Sequence, residues 1–217
     1  MTFKAAIFDM DGTLLESMHV WENLAPDFLH RHRISPPADF AIHASVPSIR
    51  GAVDYMADFF NMDIDRDAET ESIYAALHIF YGSKVTVKPG IIPLLQTITD
   101  AGISAGVVTA TEPELAELAL DFTGLKKFFT GGIFSGAEHN ISKKTPVPFQ
   151  IMSQKLQAQA AETIVFEDAC YAAESAAGAG YKVAAVYDAS EPEQLRLSEV
   201  ADWYCTDWRE FPLEIFS

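Results

Sequence analysis

The chain is short of cysteine, short of basic residues and without a long apolar run. Its two cysteines, Cys170 and Cys205, lie far apart with neither metal-ligand nor redox spacing, which argues against a disulfide framework or a thiolate zinc cluster and for a reduced protein. Fifteen Lys and Arg stand against thirty-one Asp and Glu, a net charge of −16. Such a surface repels polyanions, so nucleic acid and anionic membranes are set aside as partners. No stretch reaches the roughly 20 apolar residues that span a bilayer, and no charged leader or small-residue cleavage site precedes the first apolar segment. A soluble, cytoplasmic protein is the expectation. Internal repeats, low-complexity tracts and Gly/Ser-rich linkers are missing too, so boundaries must come from changes of hydrophobic pattern. The 217 residues, 49% of them hydrophobic, suffice for one ordinary domain plus a smaller insert that folds alone, as a monomer or weak dimer.

Residues 3–8 are nearly continuously apolar apart from Lys4 and read as a central strand covered on both faces. The strand runs into Asp9-Met10-Asp11-Gly12-Thr13, two acids followed by a glycine that permits a tight backbone. In open α/β sheets, ligands bind at the carboxyl ends of strands, so Asp9 and Asp11 form a plausible reaction centre. Asp-Gly alone is also a favoured turn pair, and the rest of the chain must supply the partners.

From residue 18 to about 81 the spacing turns helical: Trp21, Leu24, Phe28; Ile49, Val53, Met56, Phe60; Ile73, Leu77, Phe80. This predicts an all-helical insert whose apolar stripes pack a small bundle. Pro26 should kink or restart the first helix, Ser35-Pro36-Pro37 should end it, Ser48 stands as the N-cap of the second, and the third follows the acidic stretch 63–71.

Beyond Val87-Lys88-Pro89-Gly90, a helix through Leu94 and Leu95 ends near Gly102, and residues 103–109 read as a second buried strand ending in Thr109-Ala110-Thr111. A hydroxyl at a strand end, before a helix opening near Glu112-Pro113, suits a phosphoryl oxygen, and Thr109 fits better than Thr111, which could serve as a mere N-cap. A short strand in residues 131–136 precedes Ser142-Lys143-Lys144-Thr145-Pro146-Val147-Pro148-Phe149, a lysine pair before a proline-started helix. Residues 161–166 give another apolar strand, ending in Glu167-Asp168. Adjacent buried carboxylates are costly without a cation, so a metal site accounts for them. A small-residue helix to Ala179-Gly180, a strand over 182–187 and a last strand over 201–205 complete the pattern, and Cys170 reads as helix packing.

The order of these motifs resembles the haloacid dehalogenase superfamily, specifically its phosphatase and phosphomutase branch, over nearly the whole chain. The resemblance implies an α/β fold: a Rossmann-like parallel sheet core of residues 1–17 and 84–217, with an all-helical cap domain of residues 18–83 inserted after the first strand. It implies an enzyme, a Mg2+-dependent hydrolase of small phosphorylated metabolites such as sugar phosphates. Asp9 would be the nucleophile that becomes aspartyl-phosphate, and Asp11 the acid and base. Thr109 and Lys143 would offset charge on the phosphoryl oxygens, with backbone amides near Gly12 and Ala110 alongside. Mg2+ would be held by Asp9, the Asp11 backbone carbonyl, Asp168 and Glu167. The family's lysine pattern, laid on Pro146 and Phe149, selects Lys143, and a slip of one residue selects Lys144. Ser48 and Arg50 in the cap are candidates for touching substrate, although Arg50 could equally be solvated. Ala110, Lys144 and Val147 depart from the family's usual residues. An acid at Asp11 speaks against the dehalogenase and phosphonate-cleaving branches, and the motif order against a signalling receiver. In the β-phosphoglucomutases, a histidine lies on the first cap helix where this chain has Trp21, with His19 two residues away. The expectation is therefore a phosphatase, with a mutase as the alternative.

Overall fold

In the computed structural model, which describes residues 3–37 and 48–216, the chain folds as a parallel sheet with helices on both faces. The strands are β1 (Ala5–Phe8), β2 (Ser104–Thr109), β3 (Ile133–Ser135), β4 (Thr163–Glu167), β5 (Lys182–Val186) and β6 (Trp203–Cys205). Among the described residues, three helices lie between β1 and the rest: α1 (Met18–Arg31), α2 (Ile49–Phe59) and α3 (Arg66–Ser83). The others are α4 (Ile91–Asp100), α5 (Pro113–Phe122), α6 (Gly136–His139), α7 (Val147–Lys155), α8 (Cys170–Gly178) and α9 (Gln194–Val200).

The sheet order is β3-β2-β1-β4-β5-β6, parallel throughout. The chain therefore builds outward from β1 through β2 to β3, then crosses over to β4 and builds the other way. The carboxyl ends of β1 and β4 lie side by side where the direction reverses, which is where such sheets bind ligands. Register is tight there: Phe8 is level with Val107 on one side and Phe166 on the other.

Because strand side chains alternate between faces, successive residues of β1 enter different cores. Phe8 stacks on Phe166 at 4.2 Å between ring centroids and joins Leu94, Leu95 and Trp208 on one face. Ile7 packs with Phe149, Met152, Ala172 and Ala173 on the other. The helical segment continues the first core through Phe28, Val53, Met56 and Leu77. It is seated on α5 by the Tyr74 hydroxyl, which donates to Glu112 at 2.5 Å, and by His78 near Glu114 at 3.3 Å. The segment that returns from α3 is pinned to the end of β5 by a buried ion pair, Lys88 Nζ to Asp188 Oδ2 at 2.8 Å.

Several local expectations need correction. Helix α1 runs unbroken through Pro26 and ends at Arg31, before residues 35–37. Pro26 and Glu22 are exposed, so water can satisfy the carbonyl that the missing N–H leaves free. Helix α3 begins earlier than the acidic run suggested: Asp65 caps it, accepting from the amides of Asp67 and Ala68, and Asp67 and Glu69 lie in its first turn, where acids favour the helix N-terminus. The last strand is shorter than expected and is preceded by α9. The tail after it, unremarkable as sequence, supplies the fully buried Trp208.

Candidate active site

The loop leaving β1 is closed on itself: the amides of Leu14 and Leu15 donate to the Met10 carbonyl, and that of Gly12 donates to Leu15. Gly12 has φ +85°, a conformation that glycine adopts without strain. The Asp9 amide still pairs with the Phe166 carbonyl at 2.9 Å, so Asp9 stands at the sheet edge, beside the end of β4.

Lys143, in the loop between α6 and α7, reaches into this edge. Its Nζ lies 2.6 Å from Asp9 Oδ1 and 2.6 Å from Glu167 Oε1, all three groups buried. Burial alone would push the ammonium down, but Asp9 and Glu167 outweigh it and hold Lys143 well above its ordinary pKa. Lys144 is exposed, so the lysine at the cluster is Lys143. The other Glu167 oxygen accepts from the amides of Asp168 and Ala169, each at 3.2 Å. Asp168 accepts from the Thr13 hydroxyl at 2.7 Å.

Carboxylate oxygens of Asp9, Glu167 and Asp168 lie within 4.8 Å of one another. Burial, partly offset by Lys143, raises the Glu167 carboxyl to about 7. Asp168 is raised well above its ordinary value by burial and then by Asp9 and Glu167. Three buried carboxylates facing one ammonium leave an excess of negative charge that a divalent cation would balance, and an all-oxygen donor set suits a hard ion. The cradle is also shaped for it, because a Cβ on Gly12 would fall 2.1 Å from Asp168 Oδ2. The residues present thus fit a hard divalent metal. Since Glu167 already accepts from Lys143 and two amides, Asp9 and Asp168 have the freer oxygens.

The Asp11 carboxylate is not part of that group. Its Oδ1 accepts from Ser17 at 2.6 Å and Tyr81 at 2.5 Å, and its Oδ2 accepts from Thr111 at 2.6 Å. Burial raises its pKa despite these three hydrogen bonds. Thr109 is buried at the end of β2 and accepts from the Thr111 amide at 3.0 Å. Its own hydrogen finds no acceptor among the described residues and is available to a ligand oxygen. Ala110 is exposed beside it.

Asp9, Thr109, Lys143, Glu167 and Asp168, with the loop at Gly12, thus converge on one sheet edge. Ser48 and Arg50 do not join them through hydrogen bonds or ion pairs among the described residues. Ser48 caps α2 by accepting from Gly51 at 3.0 Å, and the exposed Arg50 pairs with Asp54 and Asp67. Sequence reasoning passed over Thr13, Ser17, Tyr81 and Thr111. Thr13 and Ser17 belong to the motif loop and could have been found there. Thr111 could by sequence serve as a mere N-cap, whereas the N-cap of α5 is Glu112. Tyr81 carries no local signal.

A family model described as haloacid dehalogenase-like hydrolase matches residues 3–180. Among curated proteins, hexitol phosphatase A of Escherichia coli (strain K12) is 29% identical over 210 residues, covering 92% of this chain and 89% of that protein. Validoxylamine A 7′-phosphate phosphatase of Streptomyces hygroscopicus subsp. limoneus is 28% identical over 170 residues, covering 77% of this chain and 78% of that one. Among solved structures, β-phosphoglucomutase from Clostridium difficile superposes with a TM-score of 0.75 at 19% identity, covering 99% of this chain and 95% of that chain.

Proposed function

The chain belongs to the haloacid dehalogenase-like hydrolase family, and we propose that it is a phosphoric monoester hydrolase of the β-phosphoglucomutase-like branch, which hydrolyses a small phosphorylated metabolite with Mg2+ through an aspartyl-phosphate on Asp9. The observation that carries this reading is the buried cluster itself: Asp9 at the sheet edge, paired with Lys143, within 4.8 Å of Glu167 and Asp168. Residues 1–17 and 84–217 serve as the catalytic core and residues 18–83 as a cap.

In this mechanism an Asp9 oxygen attacks phosphorus while the bond to the ester oxygen breaks, and Asp11 gives that oxygen a proton. Asp11 then takes a proton from the water that attacks phosphorus and releases phosphate from Asp9. Lys143 and the Thr109 hydroxyl meet the charge on the phosphoryl oxygens. Mg2+, held by Asp9, Asp168 and the Asp11 backbone carbonyl with Glu167 at its side, would supply further neutralisation of that charge. The relatives named hexitol phosphatase A and validoxylamine A 7′-phosphate phosphatase favour a small phosphate ester such as a sugar or sugar-alcohol phosphate as substrate. Phosphatase is favoured over mutase because Trp21 donates its indole N–H to Tyr81 at 2.9 Å, and an indole cannot shuttle a proton near neutral pH.

The test is phosphate release from a panel of hexose, pentose and hexitol phosphates with and without Mg2+, beside Asp9→Asn. Metal-dependent release abolished in Asp9→Asn is the expected result. A panel without turnover, or an active Asp9→Asn protein, would overturn the reading. Conversion of β-glucose 1-phosphate into glucose 6-phosphate in excess of free phosphate would move the chain to the mutases.

A further inference from the structure

The three donors to Asp11 come from three parts of the molecule. Ser17 lies in the segment entering α1, Thr111 lies beyond β2, and Tyr81 lies near the end of α3 in the helical segment. Between them they occupy both carboxylate oxygens, so the side chain has no free rotation. Tyr81 is completely buried, and its hydroxyl has a fixed sense. The Trp21 indole lies 2.9 Å from the phenolic oxygen and can only donate, so the one phenolic hydrogen is left for Asp11. A phenylalanine would pack the same site without burying a hydroxyl beside a carboxylate, an arrangement that costs stability unless the bond is made.

We infer that Tyr81, oriented by Trp21, is a positioning residue that aims the Asp11 carboxyl at the leaving oxygen. This rests on the reading of Asp11 as acid and base. Displacements of about 1 Å at a reacting group can cost on the order of a hundredfold, which is ample for one lost hydrogen bond to matter.

The experiment compares two substrates. β-Glycerol phosphate expels an alkoxide that must be protonated as it leaves, whereas p-nitrophenyl phosphate expels a stable phenolate that needs little help. Wild type, Tyr81→Phe, Trp21→Phe, Asp11→Asn and Tyr81→Phe/Asp11→Asn are assayed for kcat and KM on both. Tyr81→Phe should lower kcat on β-glycerol phosphate by about 10- to 100-fold, at least tenfold more than on p-nitrophenyl phosphate, with KM little changed. Trp21→Phe should show the same preference more weakly, and it carries the test should Tyr81→Phe fail to fold. The double variant should be no slower than Asp11→Asn. Equal losses on both substrates, or a double variant slower by the full Tyr81→Phe factor, would show that Tyr81 only packs the site and overturn the inference. An Asp11→Asn protein without leaving-group preference would instead overturn the reading of the reaction.

Discussion

Gly12 holds φ +85°, and a Cβ there would lie 2.1 Å from Asp168 Oδ2 and 2.9 Å from Met18 Cγ. Two demands meet at this residue: the backbone must enter the left-handed region, and Asp168, just beyond β4, must approach the loop of β1. An L side chain fails both. The backbone term costs about 1 to 2 kcal/mol, and the steric term can be relieved only by moving Asp168 away from Asp9 or the loop away from the sheet. Gly12→Ala is therefore expected to lower phosphate release at least a hundredfold, with a modest fall in melting temperature. A folded Gly12→Ala protein retaining more than a tenth of wild-type activity would mean that the loop tolerates the shift and that Asp168 is not held by this contact.

At the scale of elements, the N-terminus of α2 separates a structural role from a functional one. Ser48 accepts from the Gly51 amide at 3.0 Å in extended backbone, the geometry of an N-cap, which is worth about 1 kcal/mol. Ser48→Ala should lower the melting temperature accordingly and leave KM unchanged. A rise in KM on the preferred substrate would place this hydroxyl in the substrate pocket. Such elements also show what the sequence could convey. β1 and β4 were legible because each is a short apolar run broken by acids, a pattern set by burial on both faces and abruptly lost at the sheet edge. The site residues on those edges followed directly. Ser17 was hidden because it sits where an N-cap would, yet makes no cap bond and donates to Asp11 instead. Tyr81 was hidden for a different reason: it is one aromatic in a helix full of them, and only the seating of α3 brings it to a residue 70 positions away. Trp208, whose indole donates to the Thr13 carbonyl at 2.8 Å across 195 positions, was out of reach of any periodicity.

For the molecule as a whole, charge is the dominant constraint. A net charge of −16 draws divalent cations to the surface without any site, so stabilisation by Mg2+ alone proves little. The buried cluster makes a sharper claim. Among the described residues the one cation paired with this cluster is Lys143, on Asp9 and Glu167, and Asp168 has a single hydroxyl, Thr13, to share its charge. Without metal, Asp168 repels its neighbours, so Asp168→Asn should melt at or above the wild-type temperature in EDTA. With metal, the order should reverse. An ion that binds only the folded state stabilises by about 2.7 kcal/mol at a hundred times its Kd, and the Asn protein, lacking one of the two acids with freer oxygens, should gain far less. Melting curves of both proteins, with EDTA and with saturating Mg2+ at fixed ionic strength, check this. Equal gains in the two proteins would assign the stabilisation to surface screening and remove the metal from the cluster.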